Sequence, residues 1–239
     1  MKNNLKERVY GFVRKYFQIC SKSIKGDRKA NPFDYFDKIY CINLDSRPDR
    51  WEQVQKEFEK VGIETRVTRI SAVTKKEVPY DPRPRKGKSD LLGAFACSLS
   101  HFKCLQDVME NNYSNYLVFE DDVCFKDYNS ESFSTALNEL PDDWNVFLLG
   151  CDDWNCSKKK NVSDHIEKRN GFGCTHAIAI NSNLYEKFEK EFNKRVIDEN
   201  TRRKRWWKRT DYFYTAISKN LFALKNPIAF QSDSDSNIR

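Results

Sequence analysis

The feature that most constrains this chain is a short hydrophobic run that ends in three consecutive acidic residues, YLVFEDDV at residues 116–123. A continuous stretch of aromatic and aliphatic residues such as 116–119 is typical of a strand buried on both faces of a sheet. Ionised carboxylates are costly inside a core unless they are paired or bind a metal, so we place Glu120, Asp121 and Asp122 at the strand's carboxyl end. Ligands bind at that edge of an open α/β sheet, and the run therefore predicts a functional site.

Other apolar runs alternate with helical patterns along the chain. We predict strands at 38–44, 65–73, 116–119, 145–150 and 174–180, and helices at 51–61, 91–108, 132–140 and 184–192. Residues 151–171 are polar and are predicted to be rich in loops. The alternation predicts an α/β fold with a parallel or mixed sheet. For 239 residues we expect a single domain at 36–239 after a basic amphipathic extension at 1–35.

The charge balance favours anionic partners, because the formal net charge is +7 and the pI is near 8.9. The N-terminal helix and the Arg- and Trp-rich run at 201–209 permit an alternative function, a basic adaptor that binds nucleic acid or a membrane surface. Acidic residues at two strand ends argue against nucleic acid as the partner. The sequence has no apolar run of the roughly 20 residues that a span needs and no signal peptide, so we expect a cytoplasmic protein. Peripheral membrane contact through the N-terminal helix is compatible with this expectation, and we expect reduced cysteines.

The acidic residues at the strand ends are suited to holding a divalent cation. Side chains alternate along a strand, so Glu120 and Asp122 share one face if the strand persists, and Asp121 points to the other. Mn²⁺ and Mg²⁺ prefer carboxylate oxygens, and usually take their remaining ligands from phosphate and water. Asp152 and Asp153 repeat the acidic pattern after the strand predicted at 145–150. The competing explanation is that these acids complement the dipole of a following helix.

Six short motifs follow one another in a specific order. They are IYCINLDSRPDRW at 39–51, RISAV at 69–73, GAFACSLSH at 93–101, YLVFEDDV at 116–123, FLLG at 147–150 and GCTHAIAI at 173–180. Over about residues 36–238 this series resembles glycosyltransferase family 25, which includes bacterial lipooligosaccharide galactosyltransferases and procollagen galactosyltransferases. The resemblance implies a GT-A type fold with a Rossmann-like mixed sheet flanked by helices. It also implies a UDP-sugar donor, Mn²⁺ or Mg²⁺, and inverting transfer of galactose or glucose to a hydroxyl of a glycan or a hydroxylysine-type protein.

The resemblance assigns roles to individual residues. The donor side would comprise Asn43, Leu44, Arg47, Arg50, Ala72, Val73, Ser98, His101, Glu120 and Asp121, and the metal ligands would be Glu120 and Asp122. The general base would be Asp211, Asp152 or Asp153, and Gln231 and Ser236 would border the site. His176 would either line the acceptor side or simply pack in the core. Arginines at a strand end suit a diphosphate. Two simpler explanations stay open, because Asp211 also fits a helix N-cap and His101 a core hydrogen-bonding residue.

One position departs from the family's pattern. Ala94 stands after the first glycine of GAFACSLSH, where the family usually has an acidic residue. A third hypothesis is therefore a transferase-like protein that binds the donor without turning it over.

Overall fold

The computed structural model describes residues 31–79, 91–152, 158–197 and 209–232. The strands are β1 (Lys38–Asn43), β2 (Val67–Ser71), β3 (Asn115–Glu120), β4 (Val123–Phe125), β5 (Val146–Leu148), β6 (Lys159–Asn161), β7 (Ile166–Arg169), β8 (Ala177–Asn181), β9 (Leu221–Leu224) and β10 (Ala229–Gln231). The α-helices are α1 (Pro48–Val61), α2 (Leu91–Glu110), α3 (Ser130–Glu139), α4 (Tyr185–Phe192) and α5 (Thr210–Ile217). Short 3₁₀ turns occupy Pro32–Tyr35 and Ser182–Leu184, and a π-helical turn, Asn193–Ile197, follows α4.

The strands form one large mixed sheet and one small pair. The large sheet has the order β2-β1-β3-β8-β5-β9-β7-β6, and β4 pairs with β10. Strand β1 is parallel to β2 and β3, whereas β8 is antiparallel to both β3 and β5. The carboxyl ends of β1, β3 and β5 therefore lie at the same edge. The predicted α/β fold class, a mixed sheet flanked by helices, is confirmed.

Strand β3 is buried on both faces, as its continuous apolar run predicted. Leu117 and Phe119 pack in a core that includes residues of α1 and α3, and Tyr116 and Val118 pack in a core that includes residues of α2, α4 and α5. Burying such a side chain stabilises the fold by roughly 1.5–3 kcal/mol. A slip of one residue would exchange the two faces, so this packing fixes the register of β3 and the position of its acidic end.

Helix α1 begins directly beside the same edge. Pro48 occupies its first turn, where the missing N–H costs nothing, and Gly62 ends it in the left-handed conformation with φ 69°. Arg50, in the first turn, is buried. The 3₁₀ turn at the start of the described chain packs against the core through Phe33, which is fully buried.

Three parts of the predicted secondary structure are wrong. The segment 151–171 contains the hairpin β6–β7, and β9 was not predicted. The strand predicted at 174–180 begins only at Ala177, and Cys174 has a φ of 63°. The sequence KKN of β6 is exposed and carries no alternation, so its strand conformation depends on pairing with β7 rather than on a local pattern.

Several predictions lie outside the described residues. These are the N-terminal helix within 1–30, most of the basic run at 201–209, Asp153 and Ser236. Within the described part of the chain, no helix is both long and apolar enough to cross a membrane.

Candidate active site

The three consecutive carboxylates diverge because β3 ends at Glu120. Asp121 and Asp122 lie in a turn, and the chain resumes as β4 at Val123. The alternation expected of a continuing strand therefore does not apply to them. Each carboxylate meets a different set of neighbours.

Asp121 is held by the first strand and the first helix. Its Oδ2 accepts a hydrogen bond from Asn43 Nδ2 at 2.7 Å, and its Oδ1 accepts one from Arg50 Nη1 at 2.8 Å. The side chains of Arg50 and Asp121 are 6% and 10% exposed, so this ion pair is largely desolvated. Charge-assisted hydrogen bonds of this kind fix geometry strongly, and this one engages Nη1 of the Arg50 guanidinium within the protein.

Glu120 is held from the opposite side. Its Oε1 accepts a hydrogen bond from the Thr175 hydroxyl, and His101 Nε2 lies 3.4 Å and Cys97 Sγ 3.7 Å from the same oxygen. An ionised carboxylate only accepts, so His101 donates to Glu120 through Nε2, and its Nδ1 lies 3.4 Å from Tyr214 Oη. Burial disfavours the charged form, but the hydrogen bonds from His101 and Thr175 outweigh it and lower the pKa of Glu120.

Asp122 is the least compensated of the three. Its Oδ2 accepts a hydrogen bond from Gln231 Nε2 at 2.8 Å, whereas its Oδ1 is buried without a hydrogen-bond partner among the described residues. Burial, followed by the negative charge of Glu120, raises the pKa of Asp122 to about 6. An oxygen in this condition is suited to a ligand that brings positive charge.

Two sets of side chains in this region could hold a divalent cation, the predicted pair Glu120 and Asp122 and a second set that contains a thiol. Cys97, His101 and Glu120 also place their ligand atoms within 4.8 Å of one another. However, burial raises the pKa of Cys97 well above its ordinary value. A protonated thiol is a poor ligand for Mn²⁺ or Mg²⁺. The unpartnered oxygen of Asp122, by contrast, is a carboxylate oxygen of the kind these cations prefer.

Gln231 is brought to Asp122 by a close contact between β10 and the end of β5. A Cβ added to Gly150 would lie 1.7 Å from the carbonyl oxygen of Ala229, so only glycine fits there. Residue 231 also pairs with Val123 across the β10–β4 ladder. Gln231, which was predicted to border the site, therefore lies against Asp122.

Two further carboxylates approach the same region. Asp152 follows β5, and its Oδ2 accepts a hydrogen bond from Cys174 Sγ at 3.1 Å. Asp211 lies in the first turn of α5 and is 9% exposed; burial, with a smaller effect of Glu120, raises its pKa. After burial and the hydrogen bond to Asp152, the charges of Asp152, Glu120 and Asp211 also raise the pKa of Cys174.

The remaining donor-side residues lie along the ends of β1 and β2. The backbone N–H of Ala72 donates to Asn43 O at 2.9 Å, and that of Val73 donates to Ser100 Oγ at 2.8 Å. Arg47 N donates to Leu44 O in the turn after β1. These contacts shape the backbone on the side where a nucleotide was predicted.

Three predicted donor contacts have other partners in the structure. Arg47 pairs with Asp49 in an exposed bridge of 2.7 Å, and Ser98 Oγ lies 3.0 Å from Thr210 Oγ1. His101 is fully buried and reaches Glu120 instead of the open edge. His176 is also buried, and its Nε2 lies 3.1 Å from Ala229 O. His101 and His176 thus hold neighbouring elements together.

The sequence prediction missed Thr175 and Cys174 as site residues. Both belong to GCTHAIAI and were included in a predicted strand. The available signal was that this segment begins with polar residues after a glycine, which is typical of a turn rather than a buried strand.

The mixed α/β sheet, with carboxylates at the carboxyl ends of its parallel strands, agrees with the GT-A type fold that the sequence resemblance implied. Comparison with known proteins identifies the family. Residues 36–196 match the family model described as glycosyltransferase family 25 (LPS biosynthesis protein). The chain belongs to this family.

Curated relatives share only part of their length with this chain. Procollagen galactosyltransferase 1-A of Xenopus laevis is 29% identical over 129 residues, which cover 48% of this chain and 21% of that protein. Inactive glycosyltransferase 25 family member 3 of Homo sapiens is 29% identical, with coverage of 53% and 24%. The procollagen lysyl hydroxylase and glycosyltransferase of Acanthamoeba polyphaga mimivirus is 27% identical, with coverage of 59% and 18%. The matched region thus spans no more than 24% of these relatives.

Among solved structures, a glycosyltransferase involved in the glycosylation of the major capsid of PBCV-1 aligns with a TM-score of 0.44 and 10% identity. The alignment covers 83% of this chain and 93% of that one.

Proposed function

We propose that this protein is a metal-dependent, inverting hexosyltransferase that moves galactose or glucose from a UDP-sugar to a hydroxyl acceptor. Family membership supports the class of reaction. The names of the relatives include procollagen galactosyltransferases, which supports a hydroxylysine-type protein acceptor beside a glycan. Because the family also includes a protein named inactive, activity has to be argued from the site itself.

The observation that carries the proposal is the uncompensated carboxylate of Asp122. A buried carboxylate with one unpartnered oxygen and a pKa raised to about 6 is unfavourable unless a ligand uses it. Glu120 and Asp122 would hold Mn²⁺ or Mg²⁺ there, and the cation would offset charge on the leaving diphosphate.

The nucleotide would lie along the ends of β1 and β2, beside Asn43, Ala72 and Val73. Asn43 links this side to the acidic cluster, because its side-chain amide donates to Asp121 while its carbonyl accepts from Ala72 N–H. Arg50 and Asp121 form an ion pair between the nucleotide side and the acidic cluster. Their role is to hold this edge of the sheet rigid around the diphosphate.

We assign the general base to Asp211 and the orientation of the attacking hydroxyl to Asp152. A base works best when its pKa approaches the working pH, and burial raises the pKa of Asp211 in that direction. As the acceptor oxygen attacks the anomeric carbon, its proton passes to Asp211 and the bond from that carbon to the diphosphate oxygen breaks. Asp152 is exposed at the end of β5, where an acceptor can reach it.

The test is titration calorimetry of UDP into the purified protein with Mn²⁺ and again with EDTA. We expect binding only with the metal in the wild type and in Asp142→Asn, an exposed control carboxylate. Asp122→Asn should bind UDP at least tenfold more weakly and should lose the release of UDP from UDP-galactose and UDP-glucose. Metal-independent binding, or unchanged binding by Asp122→Asn, contradicts the proposal.

A further inference from the structure

The segment between Gly173 and Ala177 contains an extra residue relative to the strand beside it. Leu149 N–H donates to Ala177 O, and Asp152 and Gly173 exchange both backbone hydrogen bonds at 3.1 Å. Two residues separate Leu149 from Asp152, whereas three separate Gly173 from Ala177. This mismatch is a β-bulge, a feature that redirects side chains and is frequent beside active sites.

Cys174 occupies the strained position of this bulge. Its φ of 63° lies in the left-handed region, where bulges of this kind normally carry glycine. The other non-glycine residues with positive φ in the described chain are Asn112 and Asp127, types that tolerate this conformation. Glycine, which has no side chain, would adopt this backbone conformation with less strain than cysteine does.

The thiol of Cys174 reaches two residues of the acidic cluster. Its Sγ lies 3.1 Å from Asp152 Oδ2 and 3.5 Å from Gln231 Oε1. Gln231 presents its Oε1 to the thiol because its Nε2 donates to Asp122. Burial and the hydrogen bond to Asp152 raise the pKa of Cys174, so the thiol keeps its proton and serves as the donor. The shorter contact makes Asp152 the main acceptor.

We propose that Cys174 is a positioning residue whose thiol orients the Asp152 carboxylate toward the attacking hydroxyl. This inference rests on the proposed function, which assigns to Asp152 the orientation of the attacking hydroxyl. The bulge directs the thiol at Asp152, and the adjacent Thr175 hydroxyl at Glu120, from one short segment. The contacts of its thiol therefore explain why a cysteine occupies this position, since the backbone conformation alone would favour glycine.

The first experiment tests the contact and needs no substrate. Iodoacetamide alkylates a thiolate, and the charge of Asp152 suppresses the thiolate of Cys174. In Asp152→Asn we expect Cys174 to be alkylated at least fivefold faster at pH 8.5, measured by peptide mass spectrometry. Cys124, on β4, serves as the internal reference, and Asp142→Asn as the matched variant. An unchanged rate at Cys174 overturns the proposal.

The second experiment separates positioning from structural support. UDP release from UDP-galactose with water as the acceptor is measured for Cys174→Gly, Cys174→Ala and Cys174→Ser. Glycine relieves the backbone strain, so we expect an unchanged or higher Tm but a kcat lowered about tenfold at an unchanged KM for the donor. Serine, which keeps a donor, should recover kcat to within about threefold of the wild type. A purely structural role predicts instead that kcat follows Tm, and full activity of the glycine variant overturns the inference.

The two proposals fail in different ways. If the wild type shows no metal-dependent binding of UDP, the transferase function is wrong, whereas the alkylation result still decides the contact between Cys174 and Asp152. If the wild type binds UDP and releases it from UDP-galactose while all three variants match it, the function stands and the role of Cys174 does not.

Discussion

Replacing Asp122 by asparagine should stabilise the metal-free protein while removing its activity. Asp122 is 7% exposed. Its burial, followed by the negative charge of Glu120, raises its pKa to about 6. The ordinary value for aspartate is about 3.9, and each unit of difference corresponds to about 1.4 kcal/mol. At pH 7 the ionised side chain therefore lowers the free energy of unfolding by about 3 kcal/mol.

The stabilisation that Asp122→Asn provides is smaller than the destabilisation that the ionised aspartate causes. Asparagine carries no charge, and its oxygen still accepts from Gln231, but its amide N–H groups occupy the unpartnered position and cost about 1–2 kcal/mol. The net stabilisation at pH 7 is thus about 1–2 kcal/mol. For a domain of this size it corresponds to a rise in Tm of roughly 2–8 °C.

The pH dependence carries the diagnostic sign. The pKa of Asp122 is raised in the folded protein, so folding is favoured when this side chain is protonated. The stability of the wild type is therefore highest below the unfolded pKa of about 4, and it falls as the pH rises through about 6. The advantage of Asp122→Asn should accordingly grow as the pH rises from 4 to 7. At pH 4, where the charge penalty is almost absent, the asparagine variant should be less stable than the wild type by about the 1–2 kcal/mol that its buried amide costs.

Thermal unfolding followed by circular dichroism in EDTA, from pH 4 to pH 8, measures this difference. Asp142→Asn, at an exposed carboxylate, is the control and should change Tm little. If Asp122→Asn is less stable than the wild type at pH 7, or if the difference between them is the same at pH 4 and pH 8, the account of Asp122 is wrong.

Three further substitutions test the rest of the site. Arg50→Ala leaves the charge of Asp121 buried and unpaired, so urea unfolding should show a loss of about 3–5 kcal/mol, and a loss below 1 kcal/mol contradicts the importance of the pair. Gly150→Ala forces a Cβ to within 1.7 Å of Ala229 O, and we expect a marked fall in Tm or in soluble yield. In the wild type, kcat for UDP release from UDP-galactose should increase as the pH rises through the raised pKa of Asp211, and Asp211→Asn should abolish that limb. A pH profile that keeps the limb in Asp211→Asn would assign the base to another residue.

The sequence was sufficient to predict those strands and helices whose burial produces a local pattern of apolar residues. The run of β3 is continuous and apolar because both of its faces are covered, so its position, its type and its acidic end were all predictable. The same reasoning located β1 and helix α2 within a few residues. It also grouped Glu120, Asp121 and Asp122 at one sheet edge.

The details of the site depend on contacts between distant parts of the chain, and local patterns do not encode them. The bulge at Cys174 exists because β5 and the segment before β8 pair with unequal numbers of residues. Gln231 reaches Asp122 because Gly150 lets β10 approach the end of β5. Thr175 was missed for a related reason, since its hydroxyl meets Glu120 only after that register is fixed.

The end of β3 explains how three adjacent carboxylates acquire different chemistry. Had the strand continued, Glu120 and Asp122 would share a face and compete for the same neighbours. The turn instead gives Glu120 to Thr175 and His101, while Asp121 receives hydrogen bonds from Asn43 and Arg50. Asp122 receives only one side-chain partner, Gln231, among the described residues. The first two carboxylates already have several side-chain partners within the protein, so under the proposed function an incoming cation would interact most favourably with Asp122 and would take Glu120 as its second ligand.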